Sequence, residues 1–365
     1  MKKSPFKFGS IVEGNYFTNR IDEIKKVGSI LRSRNHLIII SPRRFGKTSL
    51  ISKVLKSIKR PSLFLDLQLV TNQEDLASQI LKRLYRVYPF EKLKSLIRNF
   101  RIVPNISLNP VSNEVDIQFQ PSSAGAMLIE DVFNLLDKIS IKKKQLIVVL
   151  DEFQEIKNIA RELDRRLRAI IQHHQNINYV FLGSQESIMK DMFEKKKSPF
   201  YHFGYLLKLD KIPESEFISF LSSGLKSVSP AYPEISRTIL NITLSHPYYT
   251  QQLAFYVWEL LYNAPETPKP VDEAVSEIIR QHDMDYERLW NTLNRTDMKN
   301  LIGLAVSEIS PLSVEFSNKF FTGASSTVFS SLKRLMLGGL VIKTDMGYEI
   351  DDPFFKRWII QRRER

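Results

Sequence analysis

The run Ser41-Pro42-Arg43-Arg44-Phe45-Gly46-Lys47-Thr48-Ser49 contains the residue types needed to hold a triphosphate. It follows a β-rich apolar run at 37–40 and opens a helical pattern at 50–58, the context a phosphate-cradling loop requires. Dense negative charge would be met there by backbone N–H groups left unsatisfied at a helix N-terminus and by the helix dipole. Gly46 lets the backbone approach closely, Lys47 would reach the β and γ phosphates, and Thr48 would set its hydroxyl on Mg²⁺. The run departs from G-x-x-x-x-G-K-[ST] at its first position, where Ser41 stands in place of glycine. Serine can make the turn if its φ is negative, and its hydroxyl adds a donor. The competing reading is a chance G-K-T at the start of a helix.

A second cluster strengthens the first. Leu146-Ile147-Val148-Val149-Leu150-Asp151-Glu152 reads as a buried strand ending in two carboxylates, and ligands of open parallel sheets bind at such strand ends. Asp151 would hold Mg²⁺ through water, and Glu152 would act as the base that orients an attacking water. The alternative makes Asp151 a helix cap and Glu152 an exposed first-turn acid. A third run, Tyr179-Val180-Phe181-Leu182, leads into Gly183-Ser184-Gln185. There Ser184 and Gln185 would either sense the γ phosphate and position water, or Ser184 would simply cap the next helix. Arg165, Arg166 and Arg168, on a helix at 164–172, offer either an arginine finger for a neighbouring subunit or an exposed helix face.

These groups need a scaffold, and the periodicity supplies one. From residue 17 to about 209, short apolar runs alternate with helical patterns, which is the signature of an α/β fold with a parallel sheet covered by helices. Strands are expected at 37–40, 63–67, 146–150 and 179–182, with a fifth at 205–209. Helices at 73–88 and 91–100 precede an alternating stretch at 102–119, broken at Asn109-Pro110, which reads as a hairpin insertion near 102–120. Residues 214–293 are helical throughout, apart from a Pro-rich linker at 264–270, and read as a lid subdomain. After residue 297 come helices at 297–308, 313–320 and 325–337, then Gly338-Gly339 and two short strands at 340–343 and 348–350. That is the order of a winged helix-turn-helix. Three parts are therefore expected: 1–210, 211–293 and 294–365. The third helix of the last part presents Ser325, Ser326, Thr327, Ser330, Lys333 and Arg334, and the wing presents Lys343. These are candidates for contact with double-stranded DNA, with phosphate contacts positioning the domain. A protein contact or an intramolecular clamp is the other use of such a domain.

Composition narrows the rest. With 43% hydrophobic and 25% charged residues, the 365-residue chain is expected to be folded throughout. The absence of cysteine excludes disulfides, thiolate metal sites and cysteine nucleophiles. A formal net charge of +13 favours contact with polyanions, although the lysine runs at 142–144 and 195–197 read as solvated loops. No apolar run approaches the roughly 18–20 residues of a membrane span, and the basic N-terminus lacks the apolar stretch of a signal peptide. The cytoplasm is the expected compartment, with no membrane partner.

On these residues the chain resembles the archaeal-type ATPases of the STAND branch of AAA+-like P-loop proteins. Phe17-Thr18-Asn19-Arg20, with Glu23, is similar to the family's F-x-N-R-x-x-E box, and the loop at 41–49 to its G-P-R-R-x-G-K-T-S. Leu150-Asp151-Glu152-Phe153-Gln154 and Leu182-Gly183-Ser184 match its second and third strand ends. Ser245-His246-Pro247 resembles its G-x-P turn, with Ser245 replacing a glycine. Asp352, Pro353, Phe355 and Trp358 carry its closing Y-x-x-x-D-P-x-F-x-x-W. The resemblance implies ATP or ADP with Mg²⁺ as cofactors, Asn19, Arg20, His246 and Pro247 near the base, and a slow ATPase working as a switch. Nucleotide held between the sheet domain and lid would fix one domain arrangement, and hydrolysis or exchange would release it. Some relatives carry a further nuclease-like domain. Since this chain ends at Arg365, the expected effector is a separate protein, and a homo-oligomer is a further possibility. Two rivals remain at this point: a DNA-binding loader or initiator-like ATPase, and a nucleotide-locked scaffold with negligible turnover.

Overall fold

The computed structural model describes residues 3–108, 115–119, 125–142 and 144–363. The expected break at Asn109-Pro110 and the middle of the first lysine run lie outside them. The chain forms two compact units. A sheet unit comprises residues 20–41 and 47–210, and a helical unit comprises residues up to Asn19, the segment Pro42–Gly46 and residues from Lys211 onward.

In the sheet unit, α1 (Ile21–Arg32) leads to β1 (Leu37–Ile40), α2 (Lys47–Ile58) and β2 (Ser62–Asp66). Two helices follow, α3 (Gln73–Val87) and α4 (Phe90–Ile97), and then the antiparallel pair β3 (Asn105–Leu108) and β4 (Val115–Gln118). That pair is the expected hairpin. The remaining elements are α5 (Gly125–Ile139), β5 (Leu146–Asp151), α6 (Ile156–Ile159), α7 (Leu163–Ile171), β6 (Ile177–Gly183), α8 (Glu186–Phe193) and β7 (Tyr205–Lys208). The sheet order is β2-β5-β6-β1-β7, and every neighbouring pair is parallel. Every residue of β1, β5 and β6 is buried, which is why β1, β5 as far as Leu150 and β6 from Tyr179 to Leu182 read as apolar runs rather than alternating ones.

Most strands differ from expectation by a residue or two, and two of the differences have clear local reasons. β2 ends at Asp66 because Leu67 begins a 3₁₀ turn in which the Asp66 carboxylate accepts the N–H of Gln68 at 2.9 Å. β6 begins at Ile177, two residues early, because the buried polar Asn178 belongs to the strand. Its amide is fully used: it accepts from Arg60 Nη2 at 2.6 Å and donates to the carbonyls of Ser33 and Asn35 at 2.9 and 2.8 Å. A buried amide satisfied in this way carries no penalty, but it hides the strand from an apolar count.

In the helical unit, α9 (Glu214–Leu225), α10 (Tyr232–Thr243), α11 (Pro247–Asn263) and α12 (Pro270–Asn291) precede α13 (Arg295–Val306), α14 (Val314–Phe320) and α15 (Ser325–Leu337). The antiparallel wing β8 (Val341–Thr344) and β9 (Gly347–Ile350) follows, then α16 (Pro353–Arg363). α13 begins at Arg295 because Asn294 caps it, accepting the N–H of Asp297 at 3.0 Å, and Ser313 caps α14 in the same way. Asp352 starts α16 by accepting the N–H groups of Phe354 and Phe355 at 2.8 and 3.2 Å, and its second oxygen accepts the hydroxyl of Tyr286 at 3.0 Å. Trp258, Phe354, Phe355 and Trp358 are fully buried in the core of this unit. Among the described residues, no helix is long and apolar enough to cross a membrane.

Candidate nucleotide and metal site

The loop after β1 has the backbone of a phosphate cradle. Arg44 and Gly46 both have positive φ, +64° and +89°, and the space a Cβ would occupy at Gly46 is open. At Gly46 only glycine takes such a conformation without strain. Ser41 is absent from the positive-φ residues, so the serine is compatible with the turn. Its hydroxyl accepts as well as offering a donor: Lys47 Nζ donates to Ser41 O at 3.0 Å and to Ser41 Oγ at 3.3 Å. The Lys47 ammonium is thereby held, buried, at the first turn of α2.

The end of β5 meets this turn. Thr48 donates its hydroxyl to Asp151 Oδ2 at 2.9 Å, while Asp151 Oδ1 accepts the N–H of Glu152 at 3.0 Å. Burial pushes the Asp151 carboxyl above its ordinary range, against the opposing pull of the Thr48 hydrogen bond. Asp151 is therefore not a helix cap. The residue in the cap position of the following 3₁₀ turn is Glu152, whose backbone is left-handed at φ +51°. Phe153 follows in an aromatic cluster, its ring 4.6 Å from Phe181 and 5.2 Å from Phe200, and this anchors the turn. One carboxylate oxygen of Glu152 accepts three donors: Ser184 Oγ at 2.6 Å, Ser184 N at 3.2 Å and Gln154 Nε2 at 2.5 Å. Ser184 is thus bonded to the acid and does not cap α8. That position belongs to Gln185, which makes no side-chain capping bond.

Two residues in this cluster were not singled out from the sequence. Gln154 holds Glu152, and its role was invisible because a glutamine after an acidic strand end reads as an ordinary polar residue. Asp66, at the tip of β2, is in register with Asp151. The pattern Leu63-Phe64-Leu65-Asp66 repeats the logic of β5 with one carboxylate, and that signal was available.

A divalent cation would suit Thr48 and Asp151, two hard oxygen donors already in contact. Among the described residues, no group of three or more acidic or histidine side chains could hold a metal alone.

The other candidates sit as follows. In the sheet unit, Arg20, left-handed at φ +59°, donates to Glu23 Oε1 at 2.9 Å and to the carbonyl of Asp210 at 2.7 Å. In the helical unit, Asn19 is also left-handed, at φ +45°. Arg44 donates to the hydroxyl of Tyr249 at 3.0 Å and lies over the ring of Tyr248 at 4.6 Å. His246 caps α11, accepting the N–H groups of Tyr248 and Tyr249 at 3.2 and 3.4 Å on Nδ1, with Pro247 in the first turn. The preceding Ser245 has φ +57°, which explains why the resembled turn uses glycine. Phe45 packs edge-on to His246 with ring centroids 4.8 Å apart.

On the winged helix, Ser326, Ser330, Lys333 and Lys343 are exposed, and Ser330 donates to the Ser326 carbonyl at 2.9 Å. Arg334 is half exposed and donates to the buried Asp297 at 2.7 Å. Among the arginines of α7, Arg165 pairs with Glu162 at 3.1 Å, Arg168 lies over the Phe203 ring at 4.3 Å, and Arg166 is exposed.

Residues 17–253 match a family described as an ATPase domain predominantly from Archaea, and residues 284–361 match a probable winged helix domain. The chain belongs to this archaeal ATPase family. It is an ATP-binding P-loop ATPase with a C-terminal winged helix. Solved structures agree on the fold. A Walker-type ATPase of Pyrococcus abyssi superposes with a TM-score of 0.69 at 17% identity, covering 97% of this chain and 99% of its own. The Aeropyrum pernix ORC2 protein, in ADPNP and ADP complexes, gives 0.57 at 16% identity over 98% of this chain and 99% of its own. The Aeropyrum pernix ORC1 protein, in complex with DNA, gives 0.51 at 13% identity over 95% and 93%. No curated protein matches the sequence.

Proposed function

We propose that this ATPase is a slow, Mg-ATP-dependent regulatory switch, with residues 1–210 as the ATPase part, 211–293 as a lid and 294–365 as the winged helix. The observation that carries the reading is the 2.9 Å contact of Thr48 with Asp151 beside the buried Lys47. Lys47 and the backbone N–H groups of the loop would bind the β and γ phosphates, and Thr48 and Asp151 would hold the cation. Bound Mg²⁺ would supply neutralisation of charge developing on the transferred phosphoryl group. Glu152 would accept the proton of the attacking water, with Ser184 and Gln154 fixing its carboxylate and Gln185 beside them.

The same bonds support a slow rate. A carboxylate oxygen already accepting three donors is a weakened base and must exchange one of them for water before it works. Such a site spends most of its time with nucleotide bound, which suits a device whose output is its nucleotide state. That output would be read by a separate protein or a second copy of the chain. The test is mass spectrometry of nucleotide carried through purification, run beside a phosphate-release assay. Stoichiometric ADP with slow but Mg-dependent turnover is expected. Absence of both nucleotide and turnover would refute the switch, and ADP without any turnover would make the protein a locked scaffold.

A loader that engages double-stranded DNA is the second reading, favoured by the net charge of +13 and the exposed Ser326, Ser330, Lys333 and Lys343. It ranks second because Arg334 is committed to Asp297, and because Phe329, 52% exposed, shares the candidate face of α15. Turnover stimulated by DNA in a salt-dependent manner would reverse that order.

A further inference from the structure

We propose that a concavity of about 450 Å³ among α10, α13, β9 and α16 binds a small phosphorylated organic anion, and that its occupancy biases the tip of the phosphate loop. The biasing half rests on the nucleotide-switch reading above, whereas the binding half does not. Three cations line the space, Lys211, Lys356 and Arg357, against one carboxylate, Asp351. Lys211 is balanced by Glu349 at 2.5 Å. Lys356 and Arg357 are half-buried, and among the described residues neither pairs with a carboxylate. Partly desolvated cations are unfavourable without a counter-charge. α16 cannot rotate to expose them, because Phe355, Trp358 and Ile359 lock its other face into the core.

The chemistry of the wall selects the ligand. A guanidinium fork beside an ammonium matches a phosphate dianion better than a single carboxylate. The apolar Ile350 and Ile360 on the same wall favour an organic body over a bare ion. The volume falls within the usual range for small-molecule sites.

Asp351 connects this pocket to the loop. Its side chain is 8% exposed, and its Oδ1 lies 3.4 Å from His246 Nε2; among the described residues neither atom has a hydrogen-bond partner. Since His246 Nδ1 accepts two backbone N–H groups, the proton of the neutral ring sits on Nε2, facing Asp351. The same ring contacts Phe45 of the phosphate loop. An anion that draws Lys356 and Arg357 toward itself changes the field at Asp351, and a small shift of Asp351 completes or breaks its bond to His246.

The experiment uses the full chain saturated with Mg-ADP, titrated calorimetrically with ribose 5-phosphate, AMP and inorganic phosphate. At least one organic phosphate should bind saturably and about tenfold more tightly than inorganic phosphate. The combined variant Lys356→Ala with Arg357→Ala should lose at least about tenfold of that affinity, as expected for two charge-assisted contacts. Release of a fluorescent ADP analogue should change severalfold when the probe is bound, and His246→Gln should remove that response. No binding of either organic phosphate to the wild type, or undiminished binding to the double variant, overturns the site. Equal binding of inorganic phosphate reduces it to a bare-anion site and overturns the ligand class. Binding without any change in ADP release overturns the coupling. If Lys47→Ala abolishes nucleotide binding yet still takes up the organic phosphate, the two sites are separate as proposed. If the wild type binds the organic phosphate but never nucleotide, it is the switch reading that fails.

Discussion

The strand tips of the sheet unit and the candidate DNA face of the winged helix both present polar side chains, but they treat them in opposite ways. At the first, Ser41, Lys47, Asp151 and Ser184 are all buried and hydrogen-bonded to one another or to their neighbours. At the second, the serines and lysines are exposed, and the arginine that looked best placed for a phosphate serves the domain's own core. Desolvating charged groups costs stability, and the buried, mutually bonded charges at the strand tips are what support the proposed chemistry there. Exposure is free and therefore says little about use.

Five substitutions test that contrast. The largest effect is expected from Glu152→Gln, which should retain ATP but slow phosphate release by about 100-fold or more, the usual scale for loss of a general base. Lys47→Ala comes next: loss of a buried charge-assisted donor should weaken nucleotide binding by about 10- to 100-fold in calorimetry. Unchanged affinity there would remove the site altogether.

Asp151→Asn should separate stability from function. Because burial raises the Asp151 carboxyl above its ordinary 3.8, its contribution to stability is complete below that value and is lost as pH rises through the raised one. At pH 7 the nucleotide-free variant should therefore melt above the wild type. The gain should vanish in acid, and Mg²⁺ should no longer tighten ATP binding. A variant that melts lower at pH 7 would show that the Thr48 bond outweighs the burial. The smallest effect is on the winged helix. Arg334→Ala should lower stability by about 1 kcal/mol, because the buried Asp297 keeps its bond from Ser331 and the lost pair is half-exposed. Lys333→Ala should leave stability unchanged, and any retention on DNA that depends on Lys333 alone would mark the exposed face as used after all.

His36 gives an internal check on the sheet unit. Burial, with help from Arg168 and His174, holds its imidazole down at about 4. Its neutral ring accepts the N–H of Tyr179 at 3.2 Å, so stability from this group is full above pH 6.5 and is lost as pH falls toward 4. Thermal melts across that window should show the decline, and His36→Gln should flatten it.

Much of this was legible before any coordinates. The parallel sheet, the hairpin pair and the helix order of the winged unit follow from apolar runs and their spacing, since burial on two faces leaves an unbroken run and burial on one leaves a period. Asn178 broke that rule because its partners, Arg60 and two carbonyls, are distant in the chain. Ser184 was readable as a helix cap or as a site residue, and only its 2.6 Å bond to Glu152 separates the two. Arg334 looked like a free phosphate ligand because Asp297 lies 37 residues away.

The amino-acid order alone determined that a lysine-bearing turn and an acidic strand end would exist and be flanked by the right elements, because turn chemistry and strand burial are local properties. The tertiary structure decided which polar groups face each other: Thr48 with Asp151, Ser184 and Gln154 with Glu152, Asp351 with His246. Apart from Gln154 and Glu152, which are two residues apart, those pairings span distances in sequence that no local rule reaches. They exist because the core, once packed, leaves each buried polar group only the partners that the fold brings to it.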